Sequence, residues 1–367
     1  MEFSAPREDL LRAVGNAAHI AAVRGGVAAL GGALLRWGAG EVVLTATNLD
    51  LSVEVRLPVA DDGEGEALVP ARLLLDVLRA APEGNVHCQL EPQENSFLVR
   101  WERGQLALRT LHREDYPNLS FSLGDDPAFV KAANLVRGVA QVARAASRDE
   151  TRPLLTGIDV GVSDGLVELV ATDSYRLAVR RIKAGAKGEF KATIPATALA
   201  EVARVASQGE VEEIGIGLVE RRAVFAVGDV VISSRLLEGQ FPDYRQLLPE
   251  DPPVQLDLDQ ATFSGVLRRV GLVAQRNTPV SLTLADGELV VAARTPDIGE
   301  AEERLGAGHG GAPLTVAFNP TYLKDGVEAV GSGTFQLKLT NSVRPGVIEA
   351  EEEDGELIYL VMPVRLD

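Results

Sequence analysis

The chain has 367 residues, 46% hydrophobic and 24% charged, with a formal net charge of −17 and one cysteine, Cys88. At roughly 100–200 residues per domain this length exceeds a single core, and one thiol excludes a disulfide framework or a thiolate-cluster metal site and fits a reducing compartment. No apolar run approaches the roughly 18 residues of a membrane span, and the acids and arginine of MEFSAPREDLLRAV replace the unbroken apolar stretch of an export signal, so a cytoplasmic protein without a membrane anchor is expected.

In chain order, the first predicted helix covers 6–21, where DLLRAVGNAAHIA places apolar residues at i, i+3, i+4 and i+7, the stripe of a helix with one buried face. LTATNLDLSVEV from Leu44 follows, and Val69-Pro70-Ala71 opens a second helix over 71–80. FLVRWERGQLALRTLH from Phe97 is short, β-branched and broken by glycine, the signal of antiparallel strands and a hairpin. Asp115-Tyr116-Pro117-Asn118 marks a turn-rich junction. Beyond it come a helix over 131–148, the strand pair LVELVATDSYRLAV, a helix over 196–206 and the strand pair AVFAVGDVVISSRLL. A second junction runs from Phe241-Pro242-Asp243-Tyr244 to Pro252-Pro253, and helices over 260–276 and 320–330 follow it.

These elements repeat. Pro70, Pro195 and Pro320 stand 125 residues apart, each at the entrance to a helix, and Asp50, Asp173 and Asp297 stand 123 and 124 apart in similar strand pairs. Together with three matching helical patterns this predicts three similar α+β domains in line, each of two βαβββ units, over 1–122, 128–250 and 253–367.

A net charge of −17 argues against DNA binding unless positive charge is segregated. Over the six predicted helices the formal charge is +7, which leaves −24 for the strands and loops. Arg137, Arg144, Arg148, Arg268, Arg269 and Arg276 fall in helices. With the repeat, this suggests helices on a concave inner surface and acidic antiparallel sheets outside, holding DNA by enclosure and sequence-independent backbone contacts. The plainer role of such charges is a solvated helix face.

ATDSYRLAV, FPDYRQLLP, TRPLLTGI and the C-terminal YLVMPVRL closely resemble signature segments of the bacterial beta sliding clamps, the beta subunits of DNA polymerase III, and the likeness runs the full chain. The resemblance implies a non-catalytic processivity factor without cofactors. It implies a head-to-tail homodimer whose similar domains form a ring around duplex DNA, placed there by a clamp loader and tethering replicative and translesion polymerases and repair proteins. It further implies that partners insert short linear peptides into a hydrophobic pocket between the second and third domains, formed or bordered by Leu155, Thr172, Arg176, Leu177, Pro242, Leu247, Val361, Met362, Pro363, Val364 and Arg365. The chemistry suits this: Leu, Pro and Met supply adaptable apolar walls, and Thr172 and Arg176 can hydrogen-bond a peptide. The alternative role for these residues is ordinary core packing. The family commonly has Gly-His where this chain has Ser174-Tyr175, and its terminal Leu is followed here by Asp367, which bears on peptide preference, for acidic ligands above all.

By the same resemblance Leu106 and Leu108, on an edge strand, face Leu272 and Val273 of a second copy, flanked by Arg100 and Arg103 on one side and by Glu300, Glu302 and Glu303 on the other. Arg24 corresponds to a loop arginine that contacts the duplex. Other chemistry is set aside: His19, His87, His112 and His309 lack metal-ligand spacing. Asp173, beside Thr172, Ser174 and Tyr175, lacks a nucleophile elbow or a placed histidine and reads as a turn residue. The glycine-rich 306–311 lacks the Lys-Ser/Thr ending of a phosphate loop. Two competing functions remain, a repeat-built interaction hub that does not enclose DNA and an enzyme using Asp173.

Overall fold

The structure, a computed structural model, describes residues 1–22, 27–186, 188–249, 252–274, 278–307 and 312–365. Among these the α-helices are α1 (Arg7–Ile20), α2 (Ala71–Ala80), α3 (Ala132–Val142), α4 (Ala196–Ala206), α5 (Gln260–Val270) and α6 (Pro320–Ala329). Each follows a strand and precedes three more, the expected βαβββ order. Two helices open on side-chain caps: Asp259 accepts from Thr262 N–H before α5, and Asn319 accepts from Thr321 and Tyr322 N–H before α6. These bonds satisfy donors that have no partner within the helix. Pro70 and Pro195 lie just before their helices, whereas Pro320 is the first residue of α6, where its missing N–H costs nothing.

The chain forms two compact units, residues 1–132 with 201–236 and residues 133–200 with 237–367. The first contains a five-stranded and an eight-stranded antiparallel sheet. In the larger sheet Leu51–Pro58 pairs with Val230–Arg235, so strands of the predicted first and second domains share one ladder. In the smaller sheet Gly104–Arg109 pairs on one side only and forms an edge. Phe3, Trp37 and Phe97 pack together, with ring centroids 5.4 to 6.4 Å apart. Each is almost fully buried, worth about 1.5–3 kcal/mol of transfer free energy for such a side chain.

The second unit repeats this plan. Its eight-stranded sheet joins Arg176–Ala186 to Gly355–Val361, and its five-stranded sheet ends at the edge strand Gly299–Gly306. Inside, Arg180 is fully buried and held by Glu352 at 3.0 Å, Asp354 at 2.7 Å and the carbonyls of Arg181 and Glu356.

The helices are shorter than the periodicity predicts. Lys131 ends a strand, Arg144 lies in a 3-10 turn after α3 and Arg148 in the loop beyond, while α5 stops at Val270 and passes into tight turns at Leu272 and Val273. Arg276 lies outside the described residues. The six observed helices therefore carry a net +3 rather than the predicted +7, so the charge separation between helices and sheets is weaker than expected.

Candidate functional site

The proposed peptide residues converge within the second unit. Leu155 belongs to the 3-10 turn Pro153–Thr156, Thr172 ends one strand, and Arg176 and Leu177 begin the next. The register sets Arg176 opposite Val361 and Leu177 opposite Leu360, so the C-terminal strand lies directly beside that hairpin. Met362 N–H then donates to Tyr175 C=O at 2.8 Å, and Pro363 and Val364 turn away to pair with Phe318 and Ala317. An apolar cluster of Val170, Leu177, Val179, Phe241, Tyr244, Val347, Ile358 and Leu360 forms the floor, with Leu154, Leu248 and Met362 packed against it. Around it Pro242, Leu247, Val364 and Arg365 are exposed, Leu155 and Thr172 are nearly buried and Val361 is buried. Leu247, between the cluster residue Tyr244 and the packed Leu248 in the chain, is itself 50% exposed.

The hairpin turn is built by two short side chains. Thr172 Oγ1 donates to Arg176 C=O at 2.7 Å and accepts from Ser174 N–H at 3.1 Å; Asp173 Oδ1 accepts from Tyr175 and Arg176 N–H at 2.9 and 3.0 Å. Ser174 takes φ +80°, a region that favours glycine. Asp173 is thus a turn residue with its carboxylate engaged, as expected.

Arg176 is held from several sides. It donates to Asp173 at 3.0 Å, to Asp325 at 2.5 Å and to Tyr359 Oη at 3.3 Å, and it lies 4.4 Å from the Tyr322 ring centroid. Burial alone would oppose its charge, but Tyr359, Asp325 and Asp173 outweigh that and raise its pKa above the ordinary value. Tyr322 is stacked on Tyr175, which is 60% exposed at the rim. Thr172 and Arg176 are therefore already hydrogen-bonded within the protein; they shape the wall rather than extend free donors toward a ligand.

The candidate DNA-facing arginines separate into two groups. Arg137 pairs with Glu352 and Asp354, Arg144 with Asp325 and Glu328, and Arg269 with both oxygens of Glu303 at 2.6 and 2.7 Å. Arg148 and Arg268 are exposed and have no carboxylate partner among the described residues. Arg24 lies outside the described residues. Helical periodicity could not reveal these acidic partners, because those of Arg137 and Arg144 come from a strand pair and a helix some 180 residues or more away, and that of Arg269 from an edge strand 34 residues on.

The candidate interface residues lie on two edge strands, on the turn before one of them and on the turn after α5. Leu106 is 40% exposed on Gly104–Arg109 whereas Leu108 on the same strand is buried, and Arg103 stands exposed on the preceding turn. In the other unit Leu272 is 80% exposed and Val273 half-buried after α5, and Glu300 is exposed on the edge strand Gly299–Gly306. His309 and the greater part of the glycine-rich segment, and Leu366 and Asp367, lie outside the described residues.

Comparison with known proteins gives matches along the whole chain. Residues 1–120 match the N-terminal domain of the DNA polymerase III beta subunit, 129–243 its central domain and 245–365 its C-terminal domain. The chain is 33% identical to the beta sliding clamp of Streptomyces coelicolor over 377 aligned positions, covering all of both proteins. Among solved structures it is similar to the DNA polymerase sliding clamp of Bacillus subtilis, with a TM-score of 0.94, 25% identity and full coverage of both chains. It is also similar to a Pseudomonas aeruginosa sliding clamp bound to griselimycin, with a TM-score of 0.91, 27% identity and the same coverage.

Proposed function

Since this chain belongs to the DNA polymerase III beta subunit family, the beta sliding clamps, we propose that it works as a head-to-tail homodimeric ring that encircles duplex DNA. The family is a non-catalytic processivity factor, and the three-domain clamp fold and sliding-clamp function follow from membership. Domains over 1–122, 128–250 and 253–367 are supported by the separate family matches to N-terminal, central and C-terminal domains.

Tethering rests on the apolar floor and its rim. Leu177, Val361 and Met362 with Leu155 and Pro242 receive the apolar anchors of a partner's short linear peptide, Leu247 and Val364 close over them, Thr172 and Arg176 hold the wall, and Pro363 and Arg365 border the exit. The observation that carries this reading is the pair of exposed aliphatic residues, Leu247 and Val364, in the segments whose Leu248 and Met362 pack on the buried cluster, in a fold shared with a clamp bound to griselimycin. Clamp loader, polymerases and repair proteins are the partners it fits. Leu106 meeting Leu272 and Val273 of a second copy, with Arg103 near Glu300, would cover both open sheet edges, whereas Leu108 is buried in its own unit and backs that strand from within. Arg148 and Arg268, with Arg24, supply contacts to the duplex; Arg137, Arg144 and Arg269 lie near it but are internally paired. The protein acts in the cytoplasm.

The deciding experiment loads the protein onto nicked circular DNA with a clamp loader, washes at high salt, linearises the DNA and measures retention before and after the cut. Retention on circles with loss from linear ends supports enclosure. Equal, salt-sensitive binding to both forms defeats it.

A further inference from the structure

The Thr172 turn has a counterpart in the first unit. Thr47 Oγ1 donates to Leu51 C=O at 3.0 Å and accepts from Leu49 N–H at 2.9 Å, Asn48 Oδ1 accepts from Asp50 and Leu51 N–H at 3.1 and 2.8 Å, and Leu49, like Ser174, has φ +80°. Alongside, Leu51–Pro58 pairs with Val230–Arg235 as Arg176–Ala186 pairs with Gly355–Val361. Arg235 N–H donates to Asp50 C=O at 2.8 Å, as Met362 N–H donates to Tyr175 C=O at 2.8 Å. The two frames therefore correspond position by position: Ser52 to Leu177, Ser233 to Leu360, Ser234 to Val361 and Arg235 to Met362. The apolar floor of one is a floor of hydroxyls and cations in the other.

Arg222, opposite Arg235 in the adjacent strand, lies over that floor. Its Nε donates to Ser233 Oγ at 2.7 Å, and its Nη2 to Ser233 C=O at 3.0 Å, Ser52 Oγ at 3.3 Å and Asp50 C=O at 3.4 Å. Every one of these acceptors is neutral. Half-buried, Arg222 has no carboxylate partner among the described residues. Burial, then the charge of Arg235, hold its pKa below the ordinary value, against a smaller opposing effect of Asp50. Arg235 is 64% exposed, and its one carboxylate contact among the described residues is Asp50 at 3.8 Å. A guanidinium taken partly out of water beside a second one, with only neutral acceptors, is a site short of an anion.

We propose that the Arg222–Arg235 floor is a second docking site, which takes the carboxylates of an acidic segment of a partner protein. Two adjacent guanidiniums suit carboxylate oxygens, while the serines beneath are buried and serve to hold Arg222 in place. A peptide is favoured over the duplex because the floor lies between strands, in the frame that the proposed apolar peptide site occupies in the second unit, and not on a helix. The likeness of frame draws on that proposed site, but the charge argument stands apart from it.

The test uses the whole protein and measures fluorescence polarisation of labelled hexaglutamate at low salt, with hexaglutamine as control and a short DNA duplex and griselimycin assayed on the same samples. Saturable hexaglutamate binding, weakened about tenfold or more by Arg222→Met and by Arg235→Gln, supports the proposal. Should Arg222→Met unfold, Arg235→Gln decides, since that side chain is mostly exposed. Absent saturation, unchanged affinity in Arg235→Gln, or a loss confined to duplex binding overturns the site. Griselimycin binding reports separately on the apolar site, so failure there with hexaglutamate binding intact counts against the proposed peptide pocket alone.

Discussion

Arg176 donates to Asp325 at 2.5 Å, and the second oxygen of the same carboxylate accepts from Arg144 at 3.3 Å. One acid of α6 thus holds both an arginine of the apolar site and an arginine first assigned to DNA. Arg176 is 12% and Asp325 18% exposed, so this contact is screened little by solvent. Replacing Asp325 by Asn should cost about 1–3 kcal/mol of stability, the penalty for a partly buried cation that loses a charged partner. Urea denaturation of the two proteins measures it, and an unchanged midpoint would show that the pair adds nothing.

The hydrogen bond from Arg144 holds the Glu328 carboxyl below its ordinary value. A depressed folded-state pKa contributes stability above the unfolded value of 4.5 that is lost as pH falls through the lower folded value. The Glu328→Gln protein should therefore be less stable at neutral pH and should lose less on acidification. Denaturation midpoints from pH 7 down to the acid limb test this, and parallel curves would assign the acid sensitivity elsewhere.

Leu177 and Leu247 are both leucines of the candidate pocket, but Leu177 is 1% and Leu247 50% exposed. Leu177→Ala should destabilise the protein by about 2–5 kcal/mol through lost burial and a cavity. Leu247→Asp should leave stability within about 0.5 kcal/mol, yet weaken capture of a linear partner peptide about tenfold or more, as expected for an interface anchor. If Leu247→Asp binds peptides normally, the rim has been drawn in the wrong place.

Among the candidate DNA contacts, Arg148 and Arg268 are exposed without carboxylate partners among the described residues, whereas Arg137 is clamped by Glu352 and Asp354. The double change Arg148→Gln with Arg268→Gln should lower the salt slope of duplex binding by up to about 0.9 for each phosphate contact removed. Arg137→Gln should act mainly on stability. Titrations of duplex binding at several salt concentrations separate the two, and a larger slope change in Arg137→Gln would reverse the assignment.

The order of strands and helices was legible in the sequence, because βαβββ units announce themselves through local periodicity and turn residues, and the repeat of 125 residues fixed how many to expect. The equivalence of Asp50 with Asp173 was misread: in the structure Asn48 does for the first turn what Asp173 does for the second, since both accept from the N–H groups two and three residues on. Side-chain oxygen at the right distance from those amides matters there, and an echo of Asp letters does not record it.

Local pattern determined the elements, the turns and the apolar C-terminal strand, since each depends on residues a few positions apart. Only the tertiary structure decided which charges are free. Strand pairing brings Glu352 and Asp354 to Arg137, and the packing of α6 brings Asp325 to Arg144 and Arg176. It also turned two corresponding frames into an apolar floor at Leu177 and a cationic one at Arg222, because Coulomb attraction and burial depend on distance in space, which a count along the chain does not contain.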